Sequence, residues 1–211
     1  MQSNIKIAGF QKNTFIDYPG KIAAIIFLGG CNFVCYYCHN NDILCNSSNK
    51  VDFAEVLEEL REQVGFLDGV VISGGEPTLY PHIQSIISKI RELGFKIKLD
   101  TNGSNFEILK GLDVDCIAMD VKAPLHRYKE ITGYEDIDEI KKSIEYVKAR
   151  GYFRLTLPSD FVDVDIEEIG KLVEGCELFH LQKMTDAVYF NVERFADILR
   201  KYCKKVELRG F

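Results

Sequence analysis

The stretch Ile22-Ala23-Ala24-Ile25-Ile26-Phe27-Leu28-Gly29-Gly30-Cys31-Asn32-Phe33-Val34-Cys35-Tyr36-Tyr37-Cys38 decides how this chain is read. Its opening residues are apolar and rich in isoleucine, and two glycines end the run. That pattern predicts a buried strand whose C-terminal end delivers the cysteines that follow. Cys31, Cys35 and Cys38 fall within eight residues, close enough for one tight loop to fold three thiolates round a metal centre. A closed zinc site or an ordinary ferredoxin cluster takes four protein ligands, so three leave one position open. Zinc with a fourth ligand, or a loop that binds nothing, are the competing readings.

Outward from this stretch, short apolar runs alternate with helical periodicity. Asp52 reads as the N-cap of a helix to about residue 64, with Phe53, Val56, Leu57 and Leu60 on one face. A second strand over 70–72 ends in Ser73-Gly74-Gly75-Glu76-Pro77. A helix over 81–93 stops at Gly94, a C-terminal signal. Strand 95–99 ends in Asp100-Thr101-Asn102-Gly103, and strand 116–121 contains Met119-Asp120-Val121 before Lys122. Further pairs follow: helix 137–150 ending at Gly151 with strand 152–157, helix 165–173 with strand 178–181, and helix 192–202 with a last candidate strand over 205–208. Repeated strand-then-helix implies a parallel sheet with helices outside. The expected fold is α/β, a partial, open parallel β/α barrel of about six strand–helix units forming a single domain over 1–211. A flat doubly wound sheet is the competitor. Polar motifs at several strand ends favour the barrel, where reactive groups gather at the C-terminal mouth.

Composition fits a soluble globular protein: 211 residues, 46% hydrophobic and 27% charged. A net charge of −6 gives no support to nucleic-acid binding. There is no apolar run of about 20 residues to span a membrane. The start, Met-Gln-Ser-Asn-Ile-Lys-Ile-Ala-Gly-Phe, lacks a signal-peptide pattern. Seven cysteines, three of them clustered, argue against a disulfide framework and for a reducing cytosol, so a cytoplasmic protein is expected.

Taken singly, the other motifs have bland readings: a turn for Gly74-Gly75, a helix cap for Asp100, a solvated pair for Asp120 and Lys122. Cys116 and Cys176 read as small buried apolar groups, Cys45 and Cys203 as unpaired, and His82 and His126 as surface or capping groups. Phe33, Tyr36, Tyr152 and Phe153 read as core or rim.

The C-x-x-x-C-x-x-C spacing with Tyr37 before the last cysteine resembles the signature of the radical S-adenosylmethionine enzymes. The resemblance implies a 4Fe–4S cluster on Cys31, Cys35 and Cys38, with the amino and carboxylate groups of S-adenosylmethionine on the open iron. It further implies that Gly74, Gly75 and Glu76 hold the methionine ammonium, and that Tyr37, Cys38 and His39 lie along the adenosine. The Asp100-Thr101 and Asp120-Val121-Lys122 motifs resemble a narrower group, the glycyl-radical-enzyme activating enzymes. There Asp100, Thr101 and Asp120 would hold a monovalent cation, with Asp100, Asp120 and Lys122 serving the cosubstrate. The opening, Gly9-Phe10-Gln11-Lys12 with Ile16-Asp17-Tyr18-Pro19-Gly20-Lys21, is similar to activating proteins of anaerobic ribonucleoside-triphosphate reductase, siblings of the pyruvate formate-lyase activators. Those siblings carry a histidine after their last strand. Here His180 comes earlier, which leaves Gln182 to line the mouth.

The implied activity is reductive cleavage of S-adenosylmethionine and removal of a hydrogen from a glycine α-carbon of a partner enzyme. Electrons would come from a reductase or a flavodoxin or ferredoxin. The loops over 40–49 and 125–133, with Arg127 and Lys129, would form the docking rim. A radical enzyme acting on a small molecule or on RNA, and a non-catalytic metal module, are the alternatives.

Overall fold

A computed structural model describes residues 5–38, 50–184 and 192–211. They fall into two compact units, one drawn from 5–32, 50–101 and 111–116, the other from 33–38, 102–110, 117–184 and 192–211.

In the first unit, β1 (Lys6–Ile7) and β2 (Gly9–Thr14) precede β3 (Ala23–Leu28). Then come β4 (Val51–Asp52), α1 (Phe53–Glu62), β5 (Gly69–Gly74), α2 (Ile83–Glu92) and β6 (Lys96–Thr101). The strand order is β2-β3-β5-β6. β3 runs parallel to β5 and β5 to β6, while β2 lies antiparallel along β3. The unbroken apolar runs of β3 and β5 are buried, the pattern of parallel strands covered on both faces. Asp52 caps α1 as expected, its side chain accepting from the Ala54 amide at 2.9 Å. The expected face of α1 is buried, and α2 buries Ile83, Ile86, Ile87 and Ile90. Each such side chain contributes roughly 1.5–3 kcal/mol. Strand β2 carries too little apolar pattern to be read from sequence: Gln11, Lys12 and Asn13 are exposed.

In the second unit, α3 (Phe106–Leu109), β7 (Cys116–Asp120) and α4 (Tyr128–Thr132) precede α5 (Ile137–Val147). β8 (Gly151–Leu157), α6 (Asp163–Leu172), β9 (Phe179–Lys183), α7 (Val192–Leu199) and β10 (Val206–Arg209) follow. The order is β7-β8-β9-β10, every pair parallel. The expected α/β class and its repeated strand–helix unit hold, and the last candidate strand is real.

Gly151 plays a different part from the one expected. α5 ends at Val147, and Gly151 opens β8, where a Cβ would overlap the Ile117 carbonyl oxygen and stand 2.9 Å from its nitrogen. No described helix is long and apolar enough to cross a membrane.

Candidate functional site

In the first unit the register pairs Leu28 with Gly74, so β3 and β5 end side by side, β3 leading into Gly29, Gly30 and Cys31. The Gly75 amide donates to Leu28 O at 2.9 Å and the Glu76 amide to Gly30 O at 2.8 Å. Gly74 has φ +119°. A Cβ there would overlap the Leu28 carbonyl oxygen, and one on Gly75 would overlap that of Gly30 and stand 3.3 Å from Cys31 Cβ. Both glycines are therefore required by the close approach of two strand ends beneath the first cysteine.

Glu76 is buried, and its Oε1 accepts from the Thr78 amide at 3.0 Å, Thr78 Oγ1 at 2.6 Å and Thr101 Oγ1 at 2.8 Å. It thus caps the 3-10 turn Pro77–Leu79 and ties the end of β6 to that of β5. Asp100 is buried as well, its Oδ2 accepting from Ser73 Oγ at 3.1 Å and its Oδ1 from Lys98 Nζ. Lys98 has no exposed surface. The cap role considered for Asp100 is replaced by a buried ion pair.

In the second unit, Cys35 and Cys38 bracket a turn closed by the Cys38 amide donating to Cys35 O at 3.0 Å. The Val34 amide donates to Thr132 O at 2.8 Å, anchoring the loop to α4. Phe33 is buried with its ring 5.0 Å from Tyr134 and edge-on to Tyr128 at 6.3 Å. Cys31, Cys35 and Cys38 are each partly exposed. Among the described residues, no three His, Cys, Asp or Glu side chains stand together at metal-binding spacing.

Past β7, two tyrosines bracket the Lys122 backbone. Its amide donates to Tyr128 Oη at 3.3 Å, and Tyr37 Oη lies 3.5 Å from its carbonyl. Burial pushes both phenols up, so they stay protonated. Lys122 Nζ donates to Asp120 Oδ2 at 3.0 Å and Arg154 Nε to Asp120 Oδ1 at 2.7 Å. Burial opposes the charge on Asp120, but Arg154 and Lys122 outweigh it and bring its carboxyl to about 2. The Lys122 ammonium is held up by Asp120 and by the nearby Cys35, against its burial. Two cations share one carboxylate here, with the Lys122 ammonium near Cys35.

His39 and Cys45 lie outside the described residues. Tyr36 is exposed and donates to Asp160 at 3.2 Å, while Tyr152 and Phe153 are core. Cys176 and Cys203 are buried neighbours whose mutual hydrogen bond lowers the Cys176 thiol and raises that of Cys203, and Cys116 is half-buried against Tyr18, Ala23, Ile25 and Val71. His126 is exposed and faces Glu168 at 2.9 Å. Sequence reasoning missed Lys98 and Arg154. Their signal is a charge flanked by apolar residues within a strand: Ile97-Lys98-Leu99 and Phe153-Arg154-Leu155.

Residues 25–174 match the Radical SAM superfamily, and the chain belongs to it. It is a radical S-adenosylmethionine enzyme of the kind whose members use a 4Fe–4S cluster and S-adenosylmethionine. A Methanocaldococcus jannaschii protein designated a glycyl-radical enzyme activating enzyme is 37% identical over 84% of this chain and 79% of its own. The pyruvate formate-lyase-activating enzyme of Clostridium pasteurianum is 31% identical over 79% of this chain and 74% of its own. The crystal structure of Streptococcus suis SuiB bound to S-adenosylmethionine shares the fold at a TM-score of 0.67. The two are 17% identical, and the match covers 86% of this chain and 48% of that one.

The donor set fits the family's groups. Cys31, Cys35 and Cys38 are partly exposed thiols close in sequence, and the Lys122 ammonium beside Asp120 is a donor suited to a carboxylate. The expected monovalent cation does not fit the same way. In the first unit Asp100 already holds the Lys98 ammonium, and in the second Asp120 is shared by two cations.

Proposed function

We propose that this chain activates a glycyl-radical enzyme, and that its partner is an anaerobic ribonucleoside-triphosphate reductase. The observation that carries the reading is the Lys122–Asp120–Arg154 ion-pair cluster near Cys35, in a chain similar over most of its length to activating enzymes. The partner choice rests on the opening motif from Gly9 to Lys21.

Cys31, Cys35 and Cys38 would hold the cluster, which when bound supplies the electron for reductive cleavage of S-adenosylmethionine. Lys122 orients the cosubstrate carboxylate, its own backbone fixed by Tyr128 and Tyr37. Gly74 and Gly75 keep the end of β5 against the cysteine loop, so that backbone carbonyls there face the cosubstrate's ammonium, a donor-only group. Glu76 stabilises that strand end through Thr78 and Thr101. The target must be a glycine, since a Cβ would block approach to the α-carbon.

The test is electron paramagnetic resonance of a candidate reductase incubated anaerobically with this protein, S-adenosylmethionine and reductant. A glycine-centred doublet in the reductase supports the reading. A doublet only in pyruvate formate-lyase moves the partner to the sibling. Cosubstrate cleavage with no doublet in any glycyl-radical protein of the same cell replaces activation by a reaction on a small molecule or RNA.

A further inference from the structure

The strongest unexplained feature of the first unit is Lys98. A lysine is almost never fully buried unless paired, and taking an ammonium out of water costs several kcal/mol. Lys98 sits mid-strand in β6 between Ile97 and Leu99, without exposed surface, and donates to Asp100 two residues on. The pair points to one side of the strand, since side chains two apart share a face. Asp100 also accepts from Ser73 of β5. The Cys116 thiol also faces this pair, but burial pushes it up and it stays neutral. The Asp100 carboxylate is thus the group that meets the Lys98 ammonium.

We propose that the Lys98 ammonium is a built-in monovalent cation, a positioning residue that neutralises and orients Asp100 so that the site takes no alkali ion. An ammonium and a potassium ion have similar charge and size. The lysine differs in being tethered, so it is present at any salt composition. The inference concerns the folded chain itself and stands whether or not the partner is a glycyl-radical enzyme.

The experiment compares the full cluster-free chain with Lys98→Met and with Lys98→Met/Asp100→Asn. Melting is followed while lithium, sodium, potassium or caesium chloride replaces tetramethylammonium chloride at constant ionic strength. The parent should not distinguish the ions. Lys98→Met should regain stability saturably with one small alkali ion, by roughly 5–10 °C at a hundredfold excess over its dissociation constant. The double variant, with no carboxylate to balance, should lose that response. Thallium-205 resonance should report a bound ion in Lys98→Met alone. A saturable, ion-specific response in the parent overturns the proposal. So does a Lys98→Met chain that no alkali ion binds or stabilises, because Lys98 would then be a structural pair and nothing more.

Discussion

Gly75 lies so close to Gly30 that a Cβ on the first would overlap the carbonyl oxygen of the second. The Gly-Gly-Glu run therefore acts on the cysteine loop through backbone before any ligand arrives. Gly75→Ala should displace Gly30 and Cys31 and lower both the melting temperature and the iron taken up on anaerobic reconstitution. Gly9→Ala, whose Cβ meets only Phe27 at 3.6 Å, should leave both unchanged. Full iron content in Gly75→Ala would disconnect the glycine from the loop.

Cys31→Ala, Cys35→Ala and Cys38→Ala should each abolish incorporation of about four irons and four sulfides per chain. Cys45→Ala, Cys116→Ala, Cys176→Ala and Cys203→Ala should not. Iron and sulfide analysis decides it, and loss of the cluster in any of the latter four would end the three-ligand argument.

Lys122→Met leaves Asp120 paired with Arg154, so the fold should survive. Loss of one charge-assisted hydrogen bond to the cosubstrate should weaken S-adenosylmethionine binding by about 1.5–3 kcal/mol, roughly ten- to a hundredfold. Equilibrium dialysis measures this, and unchanged affinity would return Lys122 to the role of a structural partner.

Asp120 couples stability to acid. Its folded pKa of about 2 lies below the ordinary 3.8, so the unfolded chain binds more protons in between. The stabilisation, about 2 kcal/mol at most, is fully present above about pH 4 and lost as pH falls through 2. Glu207, also held near 2 by Lys205 and Arg209, adds to the same window. Melts between pH 2 and 7 should show a steeper acid loss in the parent than in Asp120→Asn, with part of the slope surviving through Glu207. Equal slopes would mean that Asp120 titrates normally.

Partner docking should be tested at Lys129 rather than Arg127. Arg127, expected as a rim charge, is mostly buried and held by Glu130 at 2.9 Å, Asp160 at 2.6 Å and Asp165 at 3.2 Å, so reversing it would damage the fold. Lys129 is exposed and pairs only loosely with Glu135 at the surface. Lys129→Glu should slow formation of the partner's glycyl signal at low salt while uncoupled cosubstrate cleavage continues. Equal slowing of both would place Lys129 in the site itself.

Much of the architecture was legible because parallel strands announce themselves. The run from Ala23 to Leu28 and the periodic faces of α1 and α2 carry enough apolar signal to be read without help. The cysteine spacing was equally direct. What escaped depends on long-range pairing. Lys98 and Arg154 look like interruptions of apolar strands until Asp100 and Asp120 are seen to meet them. Gly151 looks like a helix stop until β7 is seen crowding it. Asp100 shows the same limit: sequence displays the carboxylate but not the Lys98 ammonium that meets it.

Strand β2 has a consequence for colloidal behaviour. It ends the strand order of its unit, and its pairing with β3 slips between Gln11 and Thr14. A flat, regular edge would offer a ladder of unpaired amides to any passing copy of the chain. The slip breaks that ladder, and Lys12, paired with Glu59 at 2.6 Å on the exposed side, adds a charge to be desolvated before another strand can settle. The protein thus carries its own guard against edge-to-edge stacking on a strand whose middle residues face solvent.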